Sequence, residues 1–301
     1  MQKFKARKNK SNLIIYIGLF LISVAFSIKY LYSEKLINDN TFIDILINDN
    51  LYNENINITD VDFLLKYALN INLSDAEEVF NEVEIEDINN GNLPSKPLVY
   101  IYNTHQTEKY KSDYLDVYNI SSNVLIASKI LKEYLEDLGI KTIVEEDDVE
   151  ATLHSLNWKY GNSYKVSRMF MERAKQENPS LEYFIDLHRD SSVYDKTTTE
   201  INGEKYAKIL FVVGLDHENY EPNLKLAEDL KAILKKYNEN LYRGIMKKSG
   251  KGVNGIYNQD FNSKTMLIEV GGQYNNIREV NNTLKIFANV LYDYIKEDFD
   301  E

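Results

Sequence analysis

The sequence predicts an α/β fold: a mostly parallel sheet with helices on both faces, preceded by one transmembrane helix and a short membrane-proximal region. Three observations predict it. After residue 96, short apolar runs alternate with amphipathic helical stretches, the pattern of a parallel sheet covered on both faces. Two of those runs close on a histidine, in a chain with only 4 His. Near the N-terminus, a long uncharged run follows directly on a basic stretch.

The N-terminal segments come first in the chain. Residues 1–12 hold Lys3, Lys5, Arg7, Lys8 and Lys10 and no acid. Leu13 to Ile28 carries no charge, and apolar character resumes after Lys29 at Tyr30-Leu31-Tyr32. A helix of ~20 apolar residues spans a bilayer, and Lys29 can snorkel to its edge. Basic residues ahead of such a helix favour a cytoplasmic N-terminus. The expectation is a cytoplasmic tail over 1–12, a single-pass anchor in the cell membrane over 13–32, and an extracytoplasmic remainder. The alternative is a cleaved signal peptide, but no small-x-small site follows the apolar run. Residues 33–95 read as a membrane-proximal stalk and linker, with Phe63, Leu64, Leu65, Tyr67, Ala68 and Leu69 on short amphipathic helices. The pentapeptide Leu-Ile-Asn-Asp-Asn occurs at 36–40 and 46–50, far short of a repeat array. The stretch Asn89-Asn90-Gly91-Asn92-Leu93-Pro94-Ser95-Lys96-Pro97 has the Gly, Asn and Pro content of a linker. It sets the start of a domain spanning 96–301.

Within that domain the elements follow in order. Leu98 to Tyr102 is a continuous apolar strand. A helix starts at Ser121 or Ser122 as N-cap and carries the stripe Val124, Ala127, Leu131, Tyr134 and Leu138, with Gly139 as its stop. Lys141 to Glu145 alternates as a strand. Ser163 to Glu177 is a helix ended by Asn178-Pro179. Tyr183 to Leu187 and Ile209 to Val213 are strands, the second stopped by Gly214. A helix over Pro222 to Tyr237, a strand near Arg243 to Met246, a strand around Leu267-Ile268-Glu269-Val270, and a helix from Ile277 to Ile295 complete the domain.

Composition excludes several functions. The chain has 0 Cys, so disulfides, thiolate metal sites and a Cys nucleophile are absent. Any metal must be held by His and carboxylates. The net charge is −12 at pH 7, and five of the basic residues lie in the N-terminal tail, so the remainder stands at −17. Such a domain lacks the basic face that binds phosphate backbones, and no nucleic-acid partner is expected.

The chemistry concentrates at strand ends. Ligands of open α/β sheets bind outside the carboxyl ends of the strands. Tyr102-Asn103-Thr104-His105-Gln106-Thr107-Glu108 leaves the first strand, and Ile185-Asp186-Leu187-His188-Arg189-Asp190 leaves the third. Two His and one Glu with an open fourth position make a catalytic zinc arrangement. A lone His-x-x-Glu is more often a surface hydrogen bond; His188 at an equivalent strand end strengthens the metal reading. Glu269 ends an apolar run, where a carboxylate is costly without a partner or a task. Beside a metal it can serve as general base toward an activated water; its structural alternative is an ion pair, for example with Arg189. His-Arg-Asp also opens the kinase catalytic loop, but position 195 is Asp where that loop needs Asn, and no Gly-rich phosphate loop precedes it. Ser191 lacks a nucleophile elbow. His154 and His217 read as exposed loop residues. With 23 Tyr and 1 Trp, aromatic content alone does not identify a sugar site.

The ordered set of motifs resembles a known family. It comprises Tyr102 to Glu108, Tyr164-Lys165-Val166-Ser167-Arg168, Asn178-Pro179-Ser180, Ile185 to Asp190, Phe211-Val212-Val213-Gly214, Glu221-Pro222-Asn223-Leu224, Arg243-Gly244-Ile245, Tyr257-Asn258-Gln259-Asp260 and Leu267 to Gly272. Together they resemble the stage II sporulation protein P family, membrane-anchored cell-wall hydrolases of endospore-forming bacteria. The resemblance covers about 96–293 and leaves the stalk without a motif. It implies a zinc-dependent N-acetylmuramoyl-L-alanine amidase acting on peptidoglycan at the engulfing septum, with a link to cutting peptide cross-links. It implies stage II sporulation protein D and stage II sporulation protein M as partners. By motif, His105 and His188 carry over as zinc ligands and Glu269 as catalytic acid/base. The wider superfamily takes its ligand Glu from the first helix; no acid lies at 121–130 here, which leaves Glu108 as the best remaining candidate for the third ligand, with Asp113 and Asp116 next in line. Arg189, Asn258 and Gln259 are implied in the substrate groove. The competing reading is a metal-free scaffold that binds the wall without cutting it.

Overall fold

The computed structural model describes residues 95–112 and 121–300. The tail, anchor and stalk segments expected over 1–94, and the alternative ligands Asp113 and Asp116, lie outside the described residues. No helix among the described residues is long and apolar enough to cross a membrane.

The described chain forms one large mixed sheet. Its strands are β1 (Val99–Tyr102), β2 (Thr142–Val144), β3 (Tyr183–Asp190), β6 (Ile209–Gly214), β7 (Tyr242–Lys248) and β8 (Thr265–Gly272). A separate hairpin, β4 (Thr198–Ile201) with β5 (Glu204–Ala207), precedes β6. The helices are α1 (Val124–Asp137), α2 (Val149–Ser155), α3 (Ser163–Glu177), α4 (Tyr194–Thr197), α5 (Glu221–Asn238) and α6 (Ile277–Asp300). Strand order is β2-β1-β3-β8-β6-β7. The first four of these run parallel. β6 is antiparallel to β8, and β7 is parallel to β6. The sheet is thus mostly parallel, as the apolar runs predict, with a reversed two-strand edge that they do not.

The strands are buried on both sides because alternate residues feed two cores. Val99, Ile101, Tyr183, Ile185, Leu187, Ile268 and Val270 pack with α1, α5 and α6. Tyr100, Tyr102 and Phe184 face Met171 and Ala174 of α3. Further along that second face, Leu210, Val212, Leu267 and Tyr257 cluster with Tyr164 at the start of α3. The period-2 alternation puts Asp186, His188 and Asp190 on the α3 side of β3, in line with Phe184.

Element boundaries differ from the expected ones for physical reasons. The α1 cap is Asn123, whose side chain accepts the Ile126 N–H at 3.0 Å, rather than Ser121 or Ser122. Gly139 ends the helix in the left-handed region at φ 84°, as its position predicts. β3 runs on through Asp190 because its pairing with β8 continues past His188. His188 and Glu269 therefore sit inside strands, not beyond their ends. His154 lies on α2 rather than in a loop.

Candidate metal centre

The site forms across β1, β3 and β8, three adjacent parallel strands. Tyr102 pairs with Asp186, and His188 pairs with Glu269. The turn after β1 is fastened to β3 before it delivers His105. Asn103 donates to Leu187 O at 2.6 Å. Thr104 donates its N–H to Asp186 Oδ1 at 2.9 Å and its hydroxyl to Asp186 Oδ2 at 2.7 Å. The turn then closes with Glu108 N–H on His105 O at 3.0 Å, which places the two side chains together.

Glu108 lies between two imidazoles. His105 Nδ1 is 3.5 Å from Glu108 Oε1, and His188 Nδ1 is 3.4 Å from Glu108 Oε2. One donor atom from each of the three residues falls within 4.8 Å of the others. In a tetrahedral zinc site with bonds of ~2.0–2.1 Å, donor atoms lie about 3.4 Å apart. The separations and the donor set, two imidazoles and a carboxylate, both fit that ion. The Arg189 N–H also donates to Glu108 Oε2 at 3.0 Å. Burial would raise the Glu108 pKa, but hydrogen bonds from His105 and His188 hold it well below the usual carboxylate range, so the group is an anion ready to bind a cation.

Asp186 fixes the second histidine. It is fully buried, and its Oδ1 is 2.8 Å from His188 Nε2. Nε2 thus faces Asp186 as a close charge contact without a formed hydrogen bond, and Nδ1 faces Glu108; a carboxylate beside a ligating imidazole in this way orients the ring. Burial works against charge on His188, but the Asp186 and Glu108 carboxylates outweigh it and hold the pKa well above the ordinary histidine value. Asp186 is itself tied through Thr104 to Ser167 Oγ at 2.8 Å.

Glu269 differs from Glu108. Its Oε2 is buried and has no hydrogen-bond partner among the described residues. Burial, reinforced by the Asp190 carboxylate, pushes its pKa up to about 7. Arg243 pairs with Asp190 and donates to Ser192 Oγ at 2.9 Å. This contact is possible because β7 runs opposite to β3, so its first residues reach the rim where β3 ends. The ion pair expected between Glu269 and Arg189 does not form. Arg189 instead donates its Nε–H to Lys109 O at 3.0 Å.

The remaining expected groove residues fall in two places. Arg189 is half-buried next to Glu108. Asn258 and Gln259 are buried, and their amides serve the framework. Asn258 donates to Tyr164 O and to Ser167 Oγ, both at 3.0 Å. Gln259 accepts from Gly214 N–H at 2.9 Å and donates to Val212 O at 2.7 Å. Asn258 thereby continues the chain Ser167–Thr104–Asp186–His188 and steadies the site from behind. Gln259 clamps the end of β6. Sequence reasoning missed Asp186 and Asp190 as site residues, although Asp-x-His-x-Asp along one strand puts all three on one face.

Residues 46–292 match the family model described as Stage II sporulation protein P (SpoIIP). The stage II sporulation protein P of Bacillus subtilis (strain 168) is 35% identical over 202 residues, 65% of this chain and 50% of the relative. The chain thus spans about half the length of that curated relative. Among solved structures, Cwp6 from Clostridium difficile aligns with a TM-score of 0.40 at 15% identity, covering 69% of this chain and 30% of that one. A metallo-carboxypeptidase from Burkholderia cenocepacia aligns with a TM-score of 0.38 at 11% identity, covering 69% and 59%.

Proposed function

The chain belongs to the stage II sporulation protein P family, and from that premise we propose that it is a membrane-anchored, zinc-dependent peptidoglycan hydrolase. It cleaves the amide bond between N-acetylmuramic acid and L-alanine during sporulation engulfment, and peptide cross-links are a second substrate. One observation supports this most: His105 and Glu108 in the turn after β1 and His188 on β3 bring three donor atoms within 4.8 Å, with Glu269 the register partner of His188.

His105, Glu108 and His188 would hold a zinc ion, which would polarise the amide carbonyl as a Lewis acid and make the attacking water more acidic. The chain supplies the rest. Asp186 holds the His188 ring in one orientation. Glu108 brings the negative charge that a dication needs. Glu269, with a pKa pushed up to about 7 by burial and by Asp190, is poised near working pH to take a proton and return it to the leaving amine. Arg189 keeps the Glu108 carboxylate in place through its N–H. The catalytic domain faces outward from the membrane, and stage II sporulation proteins D and M are the partners in this reading.

The test is Glu269→Gln, which keeps the shape and removes the base. The variant should hold zinc at wild-type stoichiometry and release stem peptides from sacculi at least ~100-fold more slowly. Release at the wild-type rate would remove Glu269 from the chemistry, and loss of zinc would make it a ligand.

A further inference from the structure

The bond in the proposed reaction joins a sugar to a peptide through a short lactyl ether. When the amide lies at the metal centre, a pyranose ring must lie about one ring away. This step rests on the amidase reading. The flank of the centre toward α2 and α3 is aromatic and exposed. The Tyr160 ring stacks on His105 with centroids 5.1 Å apart and planes 19° apart. One face of Tyr160 thus rests on a metal-site histidine, while the residue stays 60% exposed, so its opposite face is open. Two residues earlier stands Trp158, 39% exposed, with Lys165 Nζ 5.9 Å from its ring centroid.

The segment carrying both rings is held in place. Trp158 N–H donates to Leu153 O at 2.8 Å, and Asn157 N–H to His154 O at 3.1 Å. Asn157 takes the left-handed conformation at φ 54°, which turns the chain off the end of α2. Ser163 donates its hydroxyl to Tyr160 O at 2.6 Å. Tyr160 leaves most of its surface in solvent and Trp158 more than a third of its own; exposed aromatic surface of this kind, beside a candidate metal site, marks a binding site. Tyr and Trp combine a flat apolar face with a polar edge, which matches a pyranose with its axial C–H groups and equatorial hydroxyls.

We infer that Tyr160 and Trp158 form a sugar-stacking subsite that receives the N-acetylated glycan strand beside the metal centre, with Tyr160 taking the ring next to the scissile bond. The subsite gives the substrate a direction: glycan over the aromatic flank, stem peptide away from it.

Trp158 is the chain's 1 Trp, so its fluorescence reports this subsite alone. The whole chain, in detergent and stripped of metal, is titrated with tetra-N-acetylchitotetraose, a peptide-free glycan. A saturable change in Trp158 emission is expected. Tyr160→Ala should weaken binding about tenfold, and Tyr160→Phe, which keeps the ring face, should hold it within about twofold. Calorimetry of Trp158→Ala should show a similar loss. Absence of saturable binding, or wild-type affinity in Tyr160→Ala or in Trp158→Ala, would overturn the subsite. So would an emission change that answers to phosphatidylcholine vesicles and not to the glycan. No hydrolysis is read, so the two ideas fail separately. A chain that releases stem peptides without binding the glycan loses only the subsite; one that binds the glycan and cuts nothing loses only the amidase reading.

Discussion

At the scale of single residues, the site contrasts two glutamates. Glu108 lies between two imidazoles, which hold its pKa low; Glu269 is half-buried, and burial with the Asp190 carboxylate pushes its pKa up to about 7. Environments that push like groups apart in this way divide binding from proton transfer. The same logic ranks the residues that hold the metal. His105→Ala and His188→Ala each remove a donor atom and should release zinc in dialysis against a weak chelator. Asp186→Asn leaves every donor in place but replaces the carboxylate that orients His188, so zinc affinity should fall about 10–100-fold while the metal still binds. Equal zinc affinity in wild type and Asp186→Asn would contradict the orienting contact. The grouping of His105, Glu108 and His188 was legible in part, because polar residues that follow apolar runs stand out. Asp186 and Asp190 were less so, since their partners, Thr104 and Arg243, are remote in sequence.

At the scale of elements, the strongest periodicities translated directly. The α3 helix spans Ser163–Glu177, the limits expected from the sequence, with Asn178-Pro179 as its end. Strand direction was not legible, because an apolar run reads the same in either sense. The reversal of β6 and β7 depends on the connection through the β4–β5 hairpin and on pairing across the sheet. That hairpin went unread although Asn202-Gly203 signals it; both residues have positive φ, 51° and 86°, as a two-residue primed turn requires. Asn258 and Gln259 show a further limit. A motif marks a position as constrained without saying whether the constraint is chemical or structural. Gln259→Ala would strip partners from Gly214 N–H and Val212 O, both inside the core. It should cost about 2–4 kcal/mol, seen as a lower urea midpoint at unchanged zinc affinity. Unchanged stability with weakened substrate binding would instead return Gln259 to the groove.

At the scale of the whole molecule, an anchor expected over 13–32 leads into the domain proposed to act on the wall. Protease added to intact protoplasts should then degrade the domain from outside, whereas full protection would reverse the topology. On the proposed function this domain, loaded with zinc, cuts sugar from peptide. The most direct measurement is mass spectrometry of purified sacculi treated with the whole chain at one zinc per molecule. The account predicts free stem peptides beginning at an L-alanine amine and glycan strands bearing unsubstituted lactyl carboxyls, with neither formed after chelation. Intact stem peptides on the glycan at full zinc occupancy would contradict it and leave a protein that binds the wall without cutting it.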